Sequence, residues 1–136
     1  FNDLLICAPG EYRTINQQSR HGVAYLVFGG PHLTNAVHSL SEVGTSSLPG
    51  MVFISPYAAS TADEATIDFV GAAGDVDADG FADILVGVSL ADFVNPLEPS
   101  QRRVDAGEAY LIYGSNTGNW TTDMFIEAAY KSLSSK

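Results

Sequence analysis

Basic residues are scarce in this 136-residue chain: six Lys and Arg stand against sixteen Asp and Glu, a formal net charge of −10. Phosphate backbones are gripped by clustered Lys and Arg. The one adjacent basic pair is Arg102–Arg103, so no nucleic-acid partner is expected; acidity favours cations and solubility instead. Cysteine is rarer still. Cys7 stands alone, which excludes an internal disulfide framework, and its apolar setting in "DLLICAPG" suits a buried structural thiol rather than a nucleophile. No apolar run approaches the roughly 18 residues of a membrane helix, so no membrane insertion is expected. The chain opens on Phe1 with neither an initiator Met nor a signal peptide, as a mature secreted protein or an excised fragment would. His21, His32 and His38 lack zinc spacing and paired Cys and read as ordinary surface or loop residues. A G-x-S-x-G elbow is missing, and no set of groups converges on a catalytic task; the expectation is a protein that is not an enzyme. Apolar residues are 46% of the chain, enough for a core and far from a disorder signature. The length suits one compact domain or a piece of a larger one.

What is present is a repeat. "FNDLLICAPG" at Phe1 echoes "FADILVGVSL" at Phe81, with Asp3 in step with Asp83. "GVAYLVFGG" at Gly22 echoes "GEAYLIYGS" at Gly107, and "MVFI" at Met51 answers "MFIEA" at Met124. The order of three elements is kept while the spacing drifts, as when similar strands are joined by loops of different length. "AYLVF" and "AYLIY" are aromatic and β-branched runs bounded by Gly, which predicts strands. "DLLICA" and "DILVGV" are near-continuous apolar runs, which fit strands covered on both faces. "ATIDFVGAA" reads as a further strand; "MFIEAAYKSL", the best helix candidate, is assigned β through the repeat. "NAVHSLSEVGTSSLPG" and "FVNPLEPSQRRVDAG" read as loops. The expected fold is therefore all-β, with about two units of four short antiparallel strands, the kind of sheet that forms a propeller blade. The first unit spans 1–66, with a loop insertion at 31–50, and the second spans 67–136.

The second unit holds "GDVDADGFADILVG", Gly74 to Gly87, with Asp75, Asp77, Asp79 and Asp83 crowded together. Four like charges so close repel, and the alternatives are a bound cation or a solvated Asp-Gly turn. Counting Asp75 as position 1, carboxylates fall at 1, 3, 5 and 9, with Gly80 at 6 and Phe81 at 7. Alternate residues of a tightly curling loop point inward, Gly80 permits the sharp turn, and the Phe81 carbonyl then faces the ion. Ca²⁺ takes six to eight such oxygens, whereas Mg²⁺ prefers a water-rich octahedron. Position 12 is Val86 rather than a bidentate Glu, and apolar strands flank the loop, so a true EF-hand is rejected. Ca²⁺ is the expected cofactor.

These residues resemble the FG-GAP repeat, the blade of integrin-α-type β-propellers. "DVDADGFADILVG" is similar to that family's acidic loop and following strand, "ICAPG" keeps the Ala-Pro of its second motif, and "VAYLVFGG" and "EAYLIYGS" are similar to its later strand. The chain departs from the pattern where Gly87-Val88-Ser89 replaces G-A-P and where no Phe-Gly precedes the acidic loop. Only Asp3 stands for a ligand set in the first unit, a candidate incomplete second metal site. The resemblance implies a non-enzymatic, extracellular, calcium-binding module for adhesion or protein assembly, with further blades of the same chain or other copies as partners, and protein or glycan as ligand. Two units cannot close a propeller ring. An open pair of blades leaves sheet edges that template other strands, and a heterologous contact that does not close gives a filament. A structural protomer assembling head-to-tail into a fibre or tube is the second reading, and an accessory part of a secreted hydrolase the third.

Asn119-Trp120-Thr121 forms an N-glycosylation sequon on a turn-rich stretch, and Thr45 to Ser47 is a weaker O-glycosylation candidate. Trp120 is a candidate contact residue, whereas Tyr25, Phe28, Tyr110 and Tyr113 lie on repeated strands and are assigned to packing. Asp63, Glu64 and Asp68 are read as a solvated face.

Overall fold

The aromatic and β-branched runs form strands as their composition predicts, and among the described residues the computed structural model is all-β, with two short 3₁₀ turns besides. It describes residues 1–34, 37–57, 65–94, 97–98, 100–115 and 123–125. Among the described residues the strands are β1 (Leu4–Ile15), β2 (Gln18–Val27), β3 (Gly50–Ile54), β4 (Thr66–Gly74), β5 (Asp83–Ser89), β6 (Phe93–Val94), β7 (Arg102–Arg103), β8 (Glu108–Ile112) and β9 (Asp123–Phe125). The first sheet has the order β1-β2-β3-β9 and the second β4-β5-β8, while β6 and β7 pair by themselves. All pairings are antiparallel except β3 with β9. The β1–β2 hairpin turns through Asn16 (φ 51°) and Gln17 (φ 65°), the double positive φ of a two-residue turn whose twist matches its strands.

The internal repeat is reproduced in hydrogen-bond register. Leu5 pairs with Leu26 and Cys7 with Ala24, and their counterparts Leu85 with Leu111 and Gly87 with Ala109 pair alike. The two sheets then stack face to face. Ala24, Met51 and Phe53 of the first meet Ile67, Val86, Val88 and Ile112 of the second, all of them buried. Gly22 (φ 84°) is required where β2 crosses β4, since a Cβ there would lie 2.4 Å from the Ile67 backbone nitrogen.

Three expectations are corrected. The strand at Met124 does not complete the second unit by pairing antiparallel with β8. As β9 it runs parallel to β3, with Phe53 opposite Met124. The edge of β3 is a row of unpaired backbone groups beside a buried Val-Phe-Ile run, and a strand added there satisfies them. Second, "DILVGV" is covered on one face only: Ile84, Val86 and Val88 are buried, whereas Leu85 is exposed. The first sheet does have both faces covered, because Val23, Tyr25, Val27, Val52 and Ile54 on its far side lie under Val43 and Leu48, with Leu33 and Leu40 beside them. Those four come from the 31–49 segment, which the sequence presents as a plain loop but which holds 3₁₀ turns at Pro31–Leu33 and Leu40–Glu42. Third, the stretch read as a loop from Phe93 to Gly107 contains the small β6–β7 ribbon.

Tyr25, 1% exposed, donates its hydroxyl to the Glu11 carboxylate at 2.6 Å and accepts from Arg13 Nη2 at 3.0 Å. Burial, and then the Glu11 acceptor, push its phenol above the ordinary range. A phenol held neutral in the fold contributes stability that is present below the ordinary tyrosine value and lost as pH rises toward the raised one. Urea unfolding as a function of pH is therefore expected to show wild-type stability falling above about pH 10. In Tyr25→Phe that part of the fall is expected to be absent, and the variant is about 1 kcal/mol less stable at neutral pH because Glu11 and Arg13 lose their shared partner.

Candidate metal centre

Strand β4 ends at Gly74 (φ 79°), and β5 begins at Asp83. Between them the acidic loop turns through Ala78 (φ 60°) and Gly80 (φ 92°). A Cβ at Gly80 would meet nothing within 4 Å, so glycine serves there for its backbone conformation rather than for space. The loop's carboxylates hold its own backbone. Asp75 accepts from Asp79 N–H at 3.1 Å and Gly80 N–H at 3.0 Å, and Asp79 accepts from Phe81 N–H at 2.9 Å.

Asp83 differs from the other three in being 1% exposed. A buried carboxylate must be met by donors, and both oxygens are: Oδ2 accepts from Val76 N–H at 2.7 Å and Oδ1 from Gly114 N–H at 2.8 Å. One side chain thereby joins the loop, the start of β5 and the end of β8. Gly114 is fixed by close approach, since a Cβ there would lie 2.4 Å from the Ala82 carbonyl oxygen and 2.8 Å from Phe81 Cβ.

Of the predicted ligands, acceptor atoms of Asp75, Asp77 and Asp83 lie within 4.8 Å of one another. Asp79 is not in that group; its Oδ1 caps the Phe81 amide instead. Three carboxylates this close, two of them exposed and one buried, fit a hard cation that takes oxygen donors. Asp3 stands apart in the first unit, where its Oδ1 accepts from Gly29 N–H at 2.8 Å. That bond is the counterpart of Asp83 with Gly114. The likeness extends to the glycines, since a Cβ at Gly29 would lie 2.1 Å from the Asn2 carbonyl oxygen. Position for position, Asn2 and Asp3 stand to Gly29 as Ala82 and Asp83 stand to Gly114. The sequence reading found the aspartates and missed the amides they anchor; the signal lay in the Gly that ends both "VFG" and "IYG". Between the two anchors opens a cleft of about 390 Å³, with Asp3 and Phe28 on one wall and Phe81 and Ala82 on the other.

The FG-GAP repeat family model matches residues 69–112. This chain carries an FG-GAP repeat. The FG-GAP match takes in most of β4, the whole acidic loop, β5 and β8. A comparison with curated proteins found no match, and neither did one with solved structures.

The remaining candidates divide simply. The Cys7 thiol donates to the Ile67 carbonyl at 3.6 Å, and burial, followed by the nearby Asp68 charge, pushes its pKa up; that opposes thiolate formation. His21 stacks on Tyr12 with ring centroids 4.5 Å apart, and His38 Nε2 lies 3.0 Å from the His32 carbonyl oxygen. Asn119, Trp120, Asp63 and Glu64 lie outside the described residues. Asp68 is exposed, as expected.

Replacing Gly114 by Ala is expected to cost roughly 1–3 kcal/mol, the usual penalty for forcing a methyl into closed space. Because the added carbon pushes on Ala82 and Phe81, chemical denaturation together with amide exchange at Val76 and Gly114 should show loop and fold loosening together. Gly80→Ala, strained at positive φ but unhindered, is expected to cost about 1 kcal/mol and to leave the Gly114 amide protected.

Proposed function

We propose that this chain is a non-enzymatic, calcium-binding FG-GAP module that works in extracellular protein assembly or adhesion. The observation that carries the reading is the convergence of Asp75, Asp77 and Asp83 within 4.8 Å on an FG-GAP repeat. Asp75, Asp77 and Asp83 would hold the ion, with Asp79 and the Phe81 carbonyl as the remaining donors the loop offers. The ion supplies positive charge that offsets the repulsion among these carboxylates. Asp83 is the consequential member of the set. The residue that anchors β5 to β8 is also a ligand, so binding at the loop is felt by the sheet.

The loop is also largely preformed, because its amides are already held by Asp75 and Asp79. Less ordering entropy then opposes binding. With so many exposed carboxylates, an environment rich in Ca²⁺ is the natural one, and extracellular modules operate with dissociation constants of about 10⁻⁴–10⁻³ M. Among the described residues, no helix is long and apolar enough to cross a membrane. The structural-protomer reading is favoured by one observation of its own: the outer face of the second sheet is apolar and open, with Phe69 52% and Leu85 37% exposed.

Thermal unfolding followed during titration with CaCl₂ tests the reading. At a hundredfold excess over the dissociation constant, Ca²⁺ should stabilise the fold by about 2.7 kcal/mol, EGTA should reverse the gain, and MgCl₂ should give much less. Asp77→Asn is expected to fold normally without metal and to lose most of this gain, because its side chain is exposed and an Asn oxygen can still accept from the Asp79 amide at 3.3 Å. Asp83→Asn is expected to be destabilised even in EGTA. A melting temperature that ignores Ca²⁺ in the wild type would overturn the proposal.

A further inference from the structure

The two units present the same faces in the same order. In the first sheet, Leu5, Cys7, Ala24 and Leu26 face the second sheet and close the core between them. Their counterparts in register, Leu85, Gly87, Ala109 and Leu111, form the opposite, outward face of the second sheet. Phe69 lies across this face, with its ring over Gly71 and its Cβ against Gly87. The surface that docks in the first unit is therefore repeated in register, with Gly87 in place of Cys7 and Phe69 laid across it, as an apolar surface left open in the second.

The complement it requires is also given by the chain. Inside the core, the face that receives Leu5, Cys7, Ala24 and Leu26 is built around Val86, Val88 and Ile112, with Tyr110 beside them. The first sheet carries the counterparts of these four, Ile6, Ala8, Val27 and Tyr25, on its own far side. That side is covered by Val43 and Leu48 of the 31–49 segment. Each copy thus holds one open docking face and one matching face under a cap of its own sequence. The Val43–Leu48 bridge and the mutual capping of Ser39 and Glu42 lie within the cap, and what ties it to the sheet is the burial of Val43 and Leu48 together with the Phe28 amide donated to the Pro49 carbonyl at 2.9 Å.

We propose that the Leu85–Leu111 face docks a second copy of this chain, which seats on it the Tyr25–Val27 face exposed when Val43 and Leu48 of its 37–49 stretch swing away. The contact is heterologous, open face to uncapped face, so it continues from copy to copy. The cap decides how far it proceeds. This inference rests on the assembly reading above, but it concerns mass rather than metal, so a chain indifferent to Ca²⁺ can still satisfy it.

The test is light scattering on size-fractionated protein at physiological salt, with circular dichroism as the check on folding. Wild type is expected to run mainly as a monomer. Val43→Ser with Leu48→Ser, which weakens the cap, is expected to give species of at least twice the monomer mass that grow with concentration. Adding Leu85→Glu and Leu111→Glu on the open face is expected to return them to monomer. Should the double serine variant fail to fold, the milder Leu40→Ser, at the margin of the cap, is expected to show the same association and the same reversal. A folded cap-weakened variant that stays monomeric overturns the proposal, and so do oligomers that persist after the two glutamates are added.

Discussion

A single buried carboxylate organises this molecule. Asp83 sits at the first residue of β5 with both oxygens occupied by backbone amides, one from the acidic loop and one from beyond the end of β8. An ionised group out of contact with water is tolerated only when its acceptors are satisfied. The loop therefore has to fold back far enough to offer Val76, and the chain after Ile112 has to approach closely enough to offer Gly114. Charge-assisted bonds of this kind are among the stronger ones, and two of them add to the β5–β8 ladder by tying the acidic loop and Gly114 to the start of β5.

The same device stands in the first unit. Asp3 takes one amide, from Gly29, and remains exposed. Asp83 takes two and is buried. The second donor to Asp83, the Val76 amide, comes from the acidic loop. The glycines follow from the geometry, because each aspartate pulls the preceding carbonyl against the partner strand and leaves no space for a methyl. Position-by-position agreement of anchor, amide and glycine is stronger evidence of duplication than the sequence match alone, since it shows the like residues doing like things.

Much of this was legible in the residues. The strands, the repeat and the loop that joins β4 to β5 follow from apolar runs, Gly punctuation and the spacing of Asp75, Asp77, Asp79 and Asp83. Three features were not legible, for separate physical reasons. The parallel pairing of β9 depends on which of two sheet edges is free, a property of the assembled sheets and not of "MFIEA" itself. The covering of the first sheet by residues 31–49 comes from four apolar side chains scattered through a Ser-rich stretch, too sparse to give a period. The exposure of Leu85 could not be read from "DILVGV", because a near-continuous apolar run looks the same whether one face or both will be covered. Asp79 illustrates a finer limit. Its spacing equals that of a ligand, yet its oxygen turns to the Phe81 amide, and alternation along a loop does not decide between those two uses.

The division of labour within the loop has a consequence for how a cation would couple to the fold. Asp77 is exposed, and its one bond is to the Asp79 amide at 3.3 Å, so it contributes charge and little structure. Asp75 fastens the turn through two amides, and Asp83 fastens the turn to the sheet. The three converging carboxylates thus form a graded series, from exposed side chain to structural keystone. A cation shared among them would draw on the exposed member for adjustment and on the buried member for leverage. Because Asp83 also bonds Gly114, the leverage reaches β8, whose Ala109 and Leu111 lie on the open outer face. Loop and face meet at the same end of these short strands, since Leu85 lies two residues from Asp83 and opposite Leu111 across the antiparallel β5–β8 ladder.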